Sequence, residues 1–123
     1  MQQLSDQWLI AEYRELPRVI KGDFNLKNAP DRYTLGKGHV KWAKRYACWT
    51  MARYFELCDE MEYRGFKISN SAGNLYELWN GKGDVYYVSM ADIFINVDRL
   101  RAKYKLKPNY YKWTGREKPE WLK

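Results

Sequence analysis

Between His39 and Arg64 the apolar residues fall on a single stripe. Val40, Ala43, Ala47, Met51, Tyr54, Cys58 and Met61 recur every three or four positions, the spacing that brings side chains to one face of an α-helix. At 1.5 Å per residue such a helix is about 40 Å long, enough to serve as the spine of a small domain. Gly65 stands where a helix of this kind stops, because glycine takes the left-handed conformation that the position after the C-cap needs. A chain built on this spine has to lay further amphipathic elements along one side of it.

Two more helices are legible. Leu9, Tyr13 and Leu16 share a face, with Ser5 or Asp6 available to cap the start and Pro17 to end or kink the helix. A loop marked by Gly22, Asp23, Asn25, Asn28 and Pro30 leads to a Gly36–Lys37–Gly38 turn. Residues 66–88, rich in Gly, Asn and Ser, read as loops with a marginal helical turn at most. The last helix opens at Ser89, where Asp92 can complete a capping box. It presents Ile93, Val97, Leu100 and Tyr104 on one face and ends before Pro108. Residues 109–123 show no period. The expected fold is all-α: one compact, irregular three-helix domain over residues 1–123, with long loops and an aromatic–basic carboxyl-terminal tail.

The charge is unevenly placed. Net charge is +7, and residues 99–123 alone hold nine Lys or Arg against two Glu, leaving the rest of the chain neutral. The basic residues alternate with Tyr104, Tyr110, Tyr111, Trp113 and Trp121. Cations attract phosphate and flat rings stack on bases, so the tail reads as a nucleic-acid or nucleotide surface; a solvated basic tail is the plainer alternative.

Other classes are disfavoured. Cys48 and Cys58 lie ten residues apart on one predicted helix, too far for a bridge, and read as buried thiols of a reducing compartment. With one histidine, His39, and no ligand spacing among the cysteines, neither a metal nor another cofactor is expected. His39 opens a helix and is expected to pack or cap. No apolar run is long enough to span a membrane and no signal peptide opens the chain, so a soluble, cytoplasmic protein without a membrane partner is expected.

Arg14 and Arg18 are four residues apart and share a helix face, with Glu15 between them. A carboxylate beside two guanidinium groups stays ionised; an ordinary surface ion pair is the structural alternative. These residues belong to the segment AEYRELPRV at 11–19. With LGKGHV at 35–40, RGFKI at 64–68 and YYKWTG at 110–115, in that order, the chain resembles the phage pyrimidine-dimer DNA glycosylases, the endonuclease V family, over roughly residues 4–115.

The resemblance implies roles. Glu15 corresponds to the family's catalytic carboxylate. Arg14, Arg18, Arg99, Lys103 and Lys112 correspond to its phosphate-binding cations. Trp8, Tyr13, Tyr110, Tyr111 and Trp113 are the candidate stacking faces. In the family a free α-amine on a short arm ahead of the first helix attacks the sugar and forms an imine. Here the arm is expected to be missing, bulky Gln2 follows Met1 where the family has a small Thr, and Trp8 replaces the family's His. Met1 is therefore expected to lie out of reach of Glu15.

The expected function is that of a phage-type binding protein without turnover. It would hold a phosphate-bearing nucleobase ligand, either DNA or a small phosphorylated nucleotide such as an immune signal sequestered by an anti-defence sponge, in the cytoplasm of an infected bacterium. The alternative is an active glycosylase and AP lyase in which Met1, Lys21 or Lys103 supplies the amine. A DNA-packaging or structural role and a homodimer built on the tail aromatics stay open.

Overall fold

The computed structural model of the chain describes residues 1–21, 26–68 and 72–123. Gly22, Asp23 and Asn25 of the expected loop lie outside these residues. The described elements are helices: α1 (Asp6–Lys21), α2 (His39–Arg45), α3 (Ala47–Tyr63), α4 (Ala72–Trp79), α5 (Met90–Leu106) and a short 3-10 helix (Glu120–Leu122). The all-α expectation holds. Five α-helices stand where three were expected, because the long helix divides and the 66–88 region forms α4.

The division falls at Tyr46, whose ψ of 45° leaves the helical range. Carbonyls freed by the break find other partners, as buried backbone groups must. Thr50 Oγ1 donates to Ala43 O at 2.8 Å, and Asp84 N donates to Arg45 O at 2.8 Å. The Tyr46 ring packs on Trp42 and Tyr86, and its hydroxyl donates to Asp31 O at 2.7 Å. Six of the seven stripe residues are buried; Val40, on the far side of the break, is 48% exposed.

α1 runs on past Pro17 to Lys21. Leu16, Val19 and Ile20 are buried around the proline, so side-chain burial outweighs the backbone hydrogen bond that proline cannot donate. Ser5 caps the start, its Oγ accepting from Trp8 N at 3.1 Å. Leu9, Tyr13, Leu16 and Ile20 pack on Met51, Tyr54, Leu57 and Met61 of α3 to form the main core, closed by Leu75, Leu100 and Leu122. α3 ends as expected: Gly65 has φ 81°, Phe66 N donates to Met61 O and Gly65 N to Glu62 O, a Schellman motif. The Ser89–Asp92 capping box of α5 is formed in both directions.

The two ends of the chain are clasped together. Trp113 Nε1 donates to Gln3 O at 2.9 Å and Trp121 Nε1 to Gln3 Oε1 at 3.0 Å. Asp6 accepts from Thr114 N at 3.0 Å and from Thr114 Oγ1 at 2.6 Å. Beneath the clasp, Arg64 donates to Asp6 at 2.9 Å and to Glu60 at 2.8 Å, and Arg116 grips Glu60 with two bonds of 3.0 Å. Burial alone would push both carboxyls up; the bonds to Asp6 from Thr114 and Arg64, and to Glu60 from Arg116 and Arg64, outweigh it and hold both below the usual range. Cys48 and Cys58 are free thiols. Among the described residues no helix is long and apolar enough to cross a membrane, and no group of His, Cys, Asp or Glu could hold a metal ion.

Candidate functional site

α5 meets the body of the protein at its two ends and leaves a space between. At its start, Asp92 accepts from Tyr86 Oη at 2.6 Å. Towards its end, Arg101 Nε donates to Trp121 O at 3.2 Å and Lys118 Nζ bonds Tyr104 Oη at 3.0 Å. Of the expected apolar face, Leu100 is buried while Ile93 is 43% exposed. Ile93 and Val97 border a cavity of about 580 Å³, a volume in the range of ligand sites, instead of a closed core, and Leu100, part of the main core, lines it as well.

Two kinds of wall line that space, which is open to solvent on one side. The first is aromatic: Tyr33, His39, Trp42, Trp49 and Tyr86. Trp42 is fully buried, with Tyr33 and Tyr86 both edge-on at 4.9 Å, Trp49 at 5.1 Å and His39 stacked at 5.8 Å. His39 packs as expected and is fixed by a 2.8 Å bond between Nδ1 and Thr34 O. The second wall is charged: Glu12 and Glu15 from α1, Arg53 from α3, Arg99 and Lys103 from α5. The walls meet where the Arg53 guanidinium lies 5.6 Å from the Trp49 ring. Burial pushes the Tyr33 hydroxyl above its usual range, and Arg99 and Arg53 pull against that. The indole N–H groups of Trp8 and Trp42 are buried without a hydrogen-bond partner.

Four of the residues singled out from the sequence line this cavity: Glu15, Arg99, Lys103 and Trp8. Glu15 is at its rim, mostly exposed and 3.6 Å from Arg18. Arg99 is exposed and donates to Asn96 at 3.0 Å. Arg14 and Arg18 are exposed on α1 outside the lining, and Lys112 is exposed in the clasp, where its N–H donates to Gln7 Oε1 at 3.0 Å.

The rings are differently placed than expected. Tyr13 is buried and stacked on Tyr54 at 5.7 Å. Tyr111 and Trp113 pack on Trp8 at 4.6 and 6.2 Å, and on Tyr104. Those three rings are spent on the core and on holding Trp8, because apolar area of that size is best stabilised out of water. Tyr110 alone of the tail pair is mostly exposed.

Met1 also lines the cavity. Leu4 N donates back to Met1 O at 3.1 Å, and Arg64 Nη2 donates to the carbonyls of Met1 and Gln2 at 3.4 and 3.2 Å. These bonds hold the first residues against the end of α3, and both Met1 and Glu15 are among the residues lining the cavity. Burial, then Arg53, lowers the amine's pKa; Glu56, Glu60 and Glu12 oppose them.

Glu12 and Arg53 were missed, as were Tyr33, Trp49 and Tyr86. Glu12 was within reach of sequence reasoning, since it is three residues before Glu15 on the same helix face. Arg53 carries no local signal: its partner is 41 residues away.

Fold and cavity together define the class, a protein helical throughout its regular described elements in which aromatic rings and cations line one open cavity. A family model described as pyrimidine dimer DNA glycosylase matches residues 1–74. The chain belongs to that family. The match takes in α1, α2 and α3, and so the Glu12, Glu15 and Arg53 part of the cavity; α5, with Arg99 and Lys103, lies beyond it.

Proposed function

We propose that this cavity is the ligand site of a glycosylase-derived binding protein, and that it holds a phosphate-bearing nucleobase ligand without turning it over. One observation carries the reading: aromatic faces and the cations Arg53, Arg99 and Lys103 line the same space. Rings supply roughly 1–3 kcal/mol per stacked base, and neither stacking nor phosphate binding needs a nucleophile. DNA is the ligand that family membership favours. A small phosphorylated nucleotide, such as an immune signal held by an anti-defence protein of a phage, would use the same two walls.

A second reading is favoured by Met1. Met1 is one of the residues lining the cavity that Glu15 borders, and the lowered pKa of its amine raises the neutral, nucleophilic fraction at neutral pH. An imine-forming glycosylase and AP lyase would draw on both groups.

Borohydride trapping on abasic-site DNA separates the two. The binding reading expects no covalent adduct and a salt-sensitive gel shift. A robust adduct, abolished by blocking the amine and accompanied by strand cleavage that Glu15→Gln removes, overturns it in favour of catalysis. Absence of a DNA shift together with a thermal upshift in a nucleotide series assigns the cavity to a small nucleotide.

A further inference from the structure

Arg53 on α3 and Glu12 on α1 face each other on the cavity wall. Arg53 Nε donates to one carboxylate oxygen and Nη2 to the other, the second bond measuring 2.9 Å. This is the bidentate fork that guanidinium offers equally to a carboxylate or to two oxygens of a phosphate. Each side chain is about a quarter exposed, 24% for Arg53 and 25% for Glu12. The pair is therefore neither sealed in the core nor free in solvent. The guanidinium rests near the Trp49 ring and, with Arg99, acts on the Tyr33 hydroxyl, so it stands at the junction of the aromatic and charged walls.

We infer that Arg53 is a phosphate-binding residue of this cavity, and that Glu12 fills its fork in the free protein as the counter-ion a ligand phosphate displaces. The inference deepens the proposed function and rests on it, since a cavity that takes no phosphate-bearing ligand offers Arg53 no phosphate. Glu12 then acts as a selectivity device. A neutral ligand leaves the ion pair intact, whereas a phosphate replaces one anion by another and keeps the guanidinium paired throughout. A simple strut between α1 and α3 is the competing role. It predicts lost stability and unchanged binding.

The test measures affinity for a short fluorescein-labelled duplex carrying a tetrahydrofuran abasic-site analogue, over a salt series, with circular dichroism to check each variant's fold. Glu12→Gln should tighten binding roughly threefold or more and steepen the salt dependence by about one released counter-ion. Arg53→Gln should weaken binding and flatten that dependence by about one. Glu12→Gln added to Arg53→Gln should bring no further tightening. Arg53→Lys, which keeps the charge and loses the fork, should also weaken binding and carries the comparison if Arg53→Gln does not fold. A wild-type protein that binds the duplex beside a Glu12→Gln variant of equal affinity and slope overturns this inference and leaves the cavity reading standing. Tightening that persists without Arg53 is bulk charge and overturns it as well. Wild-type protein that binds neither the duplex nor any nucleotide of the thermal-shift series overturns both; where only a nucleotide binds, the same variants are compared on that nucleotide.

Discussion

Arg64 and Asp6 stand 58 positions apart in the sequence and meet at 2.9 Å, with the Arg64 side chain wholly buried. The same guanidinium bonds Glu60 and the carbonyls of Met1 and Gln2. It joins the end of α3 to the first residues of the chain. Removing it leaves two buried carboxylates short of a partner, which is the costly way to break such a network. We expect Arg64→Met to lower stability by about 3–5 kcal/mol in urea denaturation. A loss within experimental error would show that water replaces the guanidinium at no cost.

The same network sets an acid limit. Asp6 and Glu60 have folded-state pKa values below their ordinary ones. Groups depressed on folding contribute stability that is complete above the unfolded pKa of about 4 and is lost as pH falls through the lower folded values. Stability should therefore hold on descending to about pH 5 and fall steeply below about pH 4. Asp6→Asn should shallow that decline in a pH series of thermal melts. A decline of unchanged steepness would place the acid sensitivity elsewhere.

Gly83 has φ 82°, and a Cβ built there would lie 2.6 Å from the backbone nitrogen of Ala47. The loop before α5 is seated there, beside the bond from Asp84 N to Arg45 O. Gly83→Ala meets both a left-handed backbone and a backbone clash, and should cost at least about 1–3 kcal/mol. Gly81, with φ 73° and open space around it, should lose only the conformational part on the same change. Equal losses at the two positions would mean that the Ala47 contact carries no weight.

The divided helix is testable at two stripe positions. Met51→Ala, at a fully buried site, should cost about 2–5 kcal/mol. Val40→Ala should cost well under 1 kcal/mol, because Val40 is half exposed beyond the break at Tyr46. A large loss at Val40 in denaturant titration would restore the unbroken helix that the sequence suggests.

For the cavity, Arg99→Ala and Lys103→Ala should each weaken DNA binding and reduce the salt slope by about one. Arg14→Ala, outside the lining, should matter least among the proposed cations in a fluorescence anisotropy titration. An Arg14 effect as large as that of Lys103 would move the interface to the outer face of α1.

The elements read best from the sequence rest on local physics. The Ser5 cap, the Schellman stop at Gly65 and the Ser89–Asp92 box are each written within a few residues and formed as expected. So was the buried face of α1, because helical periodicity alone brings Leu9, Tyr13 and Leu16 together. Pro17 misled because a local breaker was outweighed by burial on either side of it.

What the sequence determined by itself was the helical class, the inner stripe of α3, the basic carboxyl-terminal fifth and the glycosylase-like segments, all carried by neighbours along the chain. Tertiary structure alone decided that α5 stands off the body to leave a cavity, that Tyr13, Tyr111 and Trp113 serve packing, and that Arg53 meets Glu12 while Arg64 holds the Met1 carbonyl. The placement of α5 depends on pairings across 6 to 20 residues, and the Arg53–Glu12 and Trp113–Gln3 pairings span 41 and 110. Which distant partner a charge or ring finds follows from how the helices pack, and no local spacing encodes it.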